Sequence, residues 1–453
     1  MSKKKQQLYE CQACGFQSAA ELGKCPNCGA WGEFLELTQE QITTLKGTAK
    51  SPNSKSSQSS AKPITQIEDE SVERFSSNNE ELDLVLGGGI VGGSLTLIGG
   101  SPGVGKSTLL LKIGGNLAKS GKNTLYVSGE ESAGQIKLRA QRLDSLHENL
   151  YLLCEINLDT ILDELSLKKF DVLIVDSIQT LYSEKISSAP GSVSQVREIT
   201  FELMRYAKDN NVAVFIIGHI TKEGSIAGPR ILEHMVDTVL YFEGDSNREL
   251  RILRGFKNRF GSTSEVGIFE MTKNGLESAK DISKKFFTRN DSQAGSAITV
   301  VMEGSRPIVL EVQALLSEST YPNPKRASTG YELNRLTMLL ALLERKLDLP
   351  LNRYDVFINI AGGIKITETA ADVAIVAAII SSFRNRPLSK DTVFVGEVSL
   401  IGDIRDVYQL DNRLKEAKTQ HFKKAIVPSR PLEEISGIKC YAVSEVAKVI
   451  DWM

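Results

Sequence analysis

Short apolar runs recur through the middle of the chain, and stretches of helical spacing separate them. Leu95 to Ile98 reads as a buried strand, and Leu109, Leu110, Ile113 and Leu117 then fall on one helical face. Asn123 to Val127 and Asp171 to Asp176 read as the next strands, with a helical stretch from Gln135 to Leu143 between them. Val196, Ile199, Leu203 and Ala207 mark a helix over Val193 to Lys208, before another buried strand from Val212 to Ile217. Strands alternating with helices predict a parallel sheet covered on both faces. Glu249 to Phe256 alternates as an edge or late strand of that sheet. After about Asp281 a second series begins: strands at Ser296–Met302 and Pro307–Leu315, an amphipathic helix at Leu333–Leu347, and a strand at Tyr354–Ile360. A helix at Thr369–Phe383 and strands at Val393–Val398 and Lys424–Val427 complete an α+β pattern.

Composition divides the chain further. From Gln41 to Ile67, Ser, Thr, Lys, Gln and Pro dominate, as in a flexible tether. The expected organisation is a module over 1–35, a linker over 36–66, an α/β domain over 67–280 and an α+β domain over 281–453. A net charge of −2 gives no overall basic field, so any nucleic-acid contact must be local. The basic N-terminus has no apolar run behind it, and the longest apolar run, Val373 to Ile380, is far too short to cross a bilayer. The expected location is the cytoplasm, with no membrane partner.

The chemistry gathers at Gly100-Ser101-Pro102-Gly103-Val104-Gly105-Lys106-Ser107-Thr108, which fits G-x-x-x-x-G-K-[ST] between a strand and a helix. Its glycines let backbone N–H groups surround the β- and γ-phosphates of ATP, at the positive end of the following helix. Lys106 would sit on the β/γ oxygens, the Ser107 hydroxyl would ligate Mg²⁺, and Asp176, at the end of an apolar strand, would hold Mg²⁺ through water. Glu130 is the first candidate for positioning the attacking water and Glu131 the alternative, although either would also serve as an ordinary first-turn helix acid. His219 ends a strand on the same side, as a γ-phosphate sensor or a plain loop histidine.

Four of the six cysteines lie in the first thirty residues. Cys11, Cys14, Cys25 and Cys28 form two C-x-x-C knuckles, each followed by glycine, which suits four thiolates around a structural Zn²⁺ with no open position. A redox dithiol is the competing reading. Cys154 and Cys440 read as buried thiols.

The phosphate loop, Ser128-Gly-Glu-Glu131, the acid-tipped strand, Lys257-Asn-Arg-Phe-Gly261 and the four-cysteine motif together resemble the RadA (Sms) family, bacterial DNA repair and recombination ATPases related to RecA and to the replicative hexameric helicases. The resemblance covers nearly the whole chain and implies a RecA-like core. It further implies binding of single-stranded DNA, processing of branched recombination intermediates, a RecA-type recombinase as partner, and a homo-hexameric ring with a nucleotide site at each subunit interface. Lys257 and Arg259 would reach the neighbouring subunit's nucleotide, the alternative being a surface basic pair that touches DNA phosphates or only water. Two Gly/Ser-rich loops, Tyr182 to Arg197 (with Lys185, Ser188, Gly191 and Ser192) and Thr221 to Arg230, would on their residues alone serve equally as ordinary mobile surface loops; the resemblance places them where RecA-like proteins carry their DNA loops.

The C-terminal region resembles the proteolytic domain of Lon. The position of its nucleophilic serine reads Ala370 here and that of its lysine reads Asp411, with Ser381 and Lys415 the nearest hydroxyl and amine outside the motif. Without nucleophile and base the acyl chemistry has no start, which leaves oligomerisation as the expected task. A Lon-like ATP-dependent protease and a KaiC-like signalling ATPase remain the rival readings.

Overall fold

Residues alternate strictly between two cores along the central strands, and this explains their unbroken apolar sequences. In β9 (Val172–Asp176), Val172 and Ile174 enter one core while Leu173 and Val175 enter the other; in β10 (Ala213–His219), Phe215 and Ile217 oppose Val214 and Ile216. In this computed structural model, the described residues are 9–11, 17–26, 31, 34–36, 63, 65, 73–219, 229–244, 250–279, 283–287, 293–428 and 435–452. They divide into two units, Met1–Ala279 and Lys280–Met453.

The first unit begins with β1 (Tyr9–Cys11), β2 (Gln17–Ser18) and β3 (Phe34–Glu36), paired antiparallel in the order β2-β1-β3. The hairpin of β4 (Arg74–Phe75) with β5 (Ile90–Val91) brackets α1 (Glu80–Leu86). Then come β6 (Leu95–Gly100), α2 (Lys106–Lys119), β7 (Thr124–Ser128), α3 (Ala133–Arg142), β8 (Leu150–Leu153) and α4 (Leu158–Leu167). Beyond β9 follow α5 (Val193–Asn210), β10, α6 (Pro229–Met235), β11 (Thr238–Glu243), β12 (Leu250–Asn258), β13 (Val266–Thr272) and β14 (Gly275–Ser278). The sheet order is β14-β13-β12-β11-β6-β10-β9-β7-β8, parallel from β11 to β8 and antiparallel beyond.

Helix α2 packs Leu109, Leu110, Ile113 and Leu117 on one face of this sheet. Helices α4, α5 and α6 pack Ile161, Leu165, Val196, Ile199, Leu203 and Leu232 on the other. The chain therefore leaves the adjacent strands β6 and β10 towards opposite faces, which opens a crevice at their carboxyl ends. The strand read from Glu249 to Phe256 is β12; it lies between β11 and β13, so it is a late strand and not an edge.

The second unit holds α7 (Ser283–Phe286) and a seven-stranded mixed sheet in the order β17-β18-β16-β15-β19-β22-β23. Its strands are β15 (Ser296–Glu303), β16 (Arg306–Glu318), β17 (Arg326–Thr329), β18 (Tyr354–Ile360), β19 (Thr392–Phe394), β22 (Lys424–Val427) and β23 (Lys439–Ala442). Longer helices among its described residues are α8 (Leu333–Leu347), α9 (Asp372–Arg384) and α10 (Leu410–Thr419), with the small pair β20 (Glu397–Val398) and β21 (Ile404–Arg405). The long apolar run is α9, buried from Asp372 through Ser381. No helix among the described residues is long and apolar enough to cross a membrane.

Two expectations need correction here. The helix read from Thr369 starts as a 3₁₀ turn, Thr369–Ala371, before α9. The strand read as Val393–Val398 is broken into β19 and β20 at Gly396, where a Cβ would stand 2.9 Å from the side chains of both Val373 and Ile404. The chain passes too close to α9 there to continue as a regular strand.

Arg413 is among the largest fully buried side chains of the described residues, and each of its side-chain nitrogens has an acceptor. Its two terminal nitrogens meet the Glu368 carboxylate at 2.6 Å each, and it also donates to the carbonyls of Val300 (2.8 Å) and Tyr408 (2.9 Å). Removing one partner of such a pair strands the other, so Arg413→Met should destabilise the second unit by about 3 kcal/mol or more. Denaturant unfolding measures it; a loss below about 1 kcal/mol would show that the pair is no more than an exposed salt bridge.

Candidate nucleotide site

Strand β6 ends at Gly100 and α2 starts at Lys106, so Ser101 to Gly105 form the loop at the mouth of the crevice. Glycine is required twice for different reasons. At Gly100 a Cβ would meet the Phe242 carbonyl oxygen at 2.5 Å, whereas Gly103 stands in open space but at φ 76°. Lys106 is only 4% exposed, and its Nζ donates to the carbonyls of Gly100 (2.8 Å) and Ser101 (3.1 Å). Burial lowers its pKa to about 8, while Asp176 and Glu130 pull the other way.

Asp176 ends β9, only 7% exposed. Its Oδ2 accepts the Tyr126 hydroxyl at 2.5 Å, and the carboxylate also accepts a hydrogen bond from the Ser107 hydroxyl. Burial raises its pKa; the Tyr126 and Ser107 hydrogen bonds oppose that, and the charges of Glu130 and Glu131 reinforce it. A serine hydroxyl and a carboxylate side by side, next to a lysine, make an oxygen donor set that fits a hard cation accompanying phosphates.

The two glutamates after β7 have separate surroundings. Glu130 is exposed and accepts a hydrogen bond from the Ser177 hydroxyl at 2.7 Å. Glu131 is tied to Arg139 at 2.6 Å, on α3. The fold thus brings together Lys106, Ser107, Asp176 and Glu130, with Glu131 turned to a cation of its own.

Lys257 and Arg259 lie elsewhere. In the strand register Lys257 pairs with Val239, and Val239 with Leu97. The Arg259 N–H donates to the Asp237 carbonyl at 3.1 Å, and the Asp237 N–H donates to that of Leu95 at 3.0 Å. Arg259 is therefore level with the start of β6, roughly 16 Å of strand away from its own phosphate loop. The strand ends at Asn258 and does not extend through Arg259. Lys257 Nζ donates to the carbonyls of Glu233 (2.8 Å), His234 (3.2 Å) and Val236 (2.7 Å), at the carboxyl end of α6, as a cation there should. The Arg259 side chain is 55% exposed, 3.6 Å from Asp237.

The first loop expected to meet DNA is held by one buried amide. The Gln195 side chain accepts from the Ser183 N–H (3.1 Å) and donates to the carbonyls of Ser183 (3.2 Å), Ile186 (3.0 Å) and Ser188 (2.9 Å). Ala189 to Gly191 are exposed at its tip, and Lys185 pairs with Asp159 at 2.5 Å. Residues 221–228 of the second loop and the His219 side chain lie outside what is described. Sequence reading missed Gln195, Tyr126, Ser177 and Arg139. Only Tyr126 carried a signal, since a tyrosine within a fully buried strand needs a partner for its hydroxyl.

Near the N-terminus, Cys11 and Cys25 are buried together with Phe34, and Tyr9 and Leu22 pack against them. Cys14 and Cys28 lie outside the described residues. Cys154, expected to be buried, is exposed, and Cys440 is half-buried; both sit at the ends or edges of outer strands. In the second unit Ala370 is buried in the 3₁₀ turn and Asp411 opens α10. Ser381 is fully buried, accepting from the Gly295 N–H at 2.9 Å and donating to the Arg386 carbonyl.

Three family descriptions match this chain: the rubredoxin metal-binding domain over residues 9–36, the AAA domain over 61–225, and subunit ChlI of Mg-chelatase over 336–431. Among curated proteins it is 65% identical to the DNA repair protein RadA of Campylobacter jejuni, over 99% of this chain and 100% of that protein. The RadA of Helicobacter pylori is 58% identical over 99% and 100%, and that of Bacillus subtilis 47% identical over 99% of each. The fold is accordingly a RecA-like α/β ATPase core with a zinc ribbon before it and a Lon-like α+β domain after it; ATP and zinc are its ligands.

Two outcomes follow from this geometry. Lys106→Ala should abolish ATP turnover with the fold intact, because it removes a phosphate counter-charge; turnover at the wild-type rate would place the nucleotide elsewhere. One zinc per chain should be found by metal analysis, and Cys28→Ala should release it, since three thiolates hold the ion less tightly. Freshly purified wild type without zinc would contradict the ribbon's ligand set.

Proposed function

The chain belongs to the RadA family of DNA repair proteins, and we propose that it is a DNA-dependent ATPase of recombinational repair. It binds single-stranded DNA, processes or branch-migrates recombination intermediates beside a RecA-type recombinase in the cytoplasm, and works as a hexameric ring. The domains run as 1–35, 36–66, 67–280 and 281–453. Within each ATPase domain, the loop N–H groups and Lys106 bind the triphosphate, and Glu130 orients the attacking water. Ser107 and, through water, Asp176 would hold Mg²⁺, which offsets phosphate charge when bound. Glu130 is preferred to Glu131 because Glu131 is held by Arg139. The exposed tip from Ala189 to Gly191 suits contact with a phosphate backbone without base readout.

The observation that carries the ring is the position of Arg259. It lies at the far end of the strands from its own phosphate loop and more than half exposed, so any nucleotide it meets belongs to a neighbouring subunit. A guanidinium there would meet γ-phosphate charge as it develops, an effect worth roughly 10³–10⁵ in rate in related chemistry. Lys257, anchored on the α6 carbonyls, would steady that approach or be released on contact. The C-terminal domain is read as an assembly domain without peptidase chemistry: Ala370 has no hydroxyl, Asp411 no amine, and the Ser381 hydroxyl is committed to two backbone groups.

The test mixes Arg259→Ala with Lys106→Ala subunits and measures single-stranded-DNA-stimulated ATP hydrolysis. Each variant alone should be nearly inactive, and mixed rings should exceed both, because some intact loops then face an intact arginine. If subunit exchange is verified and activity never rises, Arg259 does not act across the interface.

A further inference from the structure

Arg251 belongs to no motif, yet it is an arginine only 4% exposed beside the phosphate loop. It sits near the start of β12, at the loop end of the sheet: its neighbour Ile252 pairs with Glu243, and Phe242 pairs with Gly100. A buried guanidinium has five donors to satisfy. Its Nε donates to the Val104 carbonyl at 3.1 Å, and its Nη1 to the Leu250 carbonyl at 2.9 Å. Gly244 leaves room for its stem, since a Cβ there would fall 2.3 Å from Arg251 Cδ.

Val104 is a member of the phosphate loop, and the plane of its peptide bond matters. In a trans peptide the C=O and the following N–H point in opposite directions. Holding the Val104 carbonyl towards Arg251 therefore turns the Gly105 N–H the other way, where it has no backbone acceptor among the described residues. Gly105 sits at φ 114°, and glycine tolerates either sign of φ, so this peptide has little of its own to stop it flipping. A flipped peptide would present a carbonyl oxygen, and not an N–H, to an anion.

We infer that Arg251 is a positioning residue that pins the Val104–Gly105 peptide with its N–H turned towards the phosphates. This rests on the loop being the ATP site. Arg251 touches no substrate; it acts through the backbone it holds.

Arg251→Lys and Gly244→Ala make the test in the full-length protein. Lysine keeps the charge but loses the Nε geometry, and alanine at 244 displaces the stem without touching the loop. Binding of fluorescent ADP without added Mg²⁺, which leaves Mg²⁺ ligands out while keeping the zinc, should weaken about tenfold or more in both, the size of one hydrogen bond to a charged group. Under turnover conditions the loss should appear in KM far more than in kcat, as for a contact made equally in ground and transition states. Hydrogen exchange of the segment spanning 101–106 should rise in both variants. Unchanged ADP affinity with unchanged exchange in the loop, even with a lower melting temperature, would make Arg251 a structural residue only and overturn the inference. Wild type binding ADP no better than Lys106→Ala would overturn the nucleotide-site reading itself, a separate result.

Discussion

A carboxylate withdrawn from water at Asp176 has to be met by donors, and much of the first unit is arranged to supply them. Tyr126 reaches it from the neighbouring strand β7, and Ser107 reaches it from the start of α2. Lys106 stands close enough to feel its charge. Two parallel strands and one helix must hold their relative positions for these groups to converge, and the two cores on the faces of the sheet hold them. The result is a concentrated polar cluster in a low-dielectric surrounding, where a phosphate and its counter-ion interact more strongly than in water.

The supporting groups stand further out. Arg139 ties down Glu131, Ser177 meets Glu130, and Gln195 closes the loop that follows β9. Strand β12 is common to two parts of the surface: Arg251 near its start touches the phosphate loop, and Lys257 near its end is bound to α6, with Arg259 just past it. The second unit is built on different terms. Its centre is α9, and two of its buried charges, Asp372 and Arg413, are paired and hydrogen-bonded with the partly exposed Arg335 and Glu368.

The sequence revealed those parts of this arrangement that depend on periodicity or on a fixed local motif. Central strands such as Val172–Asp176 are apolar on both faces, and the phosphate loop needs glycines at fixed offsets, so both could be read directly. The four-cysteine spacing was legible for the same reason. Contacts between residues distant in sequence were not. Arg251 meets Val104 across 147 positions, and Tyr126 meets Asp176 across 50. The break at Gly396 was invisible too, because it is imposed by α9 and β21 packing against it. Arg259 could be recognised as a cation near a strand end, but only the antiparallel register of β12 shows that this end is the one remote from its own loop.

The proposed two-subunit site can be seen directly by electron microscopy of the protein on forked DNA with a non-hydrolysable ATP analogue. The expected result is rings in which each nucleotide is held by Lys106 and Ser107 of one subunit while Arg259 of the next approaches its γ-phosphate. Nucleotide bound in the loop with Arg259 facing solvent or DNA at every interface would contradict it.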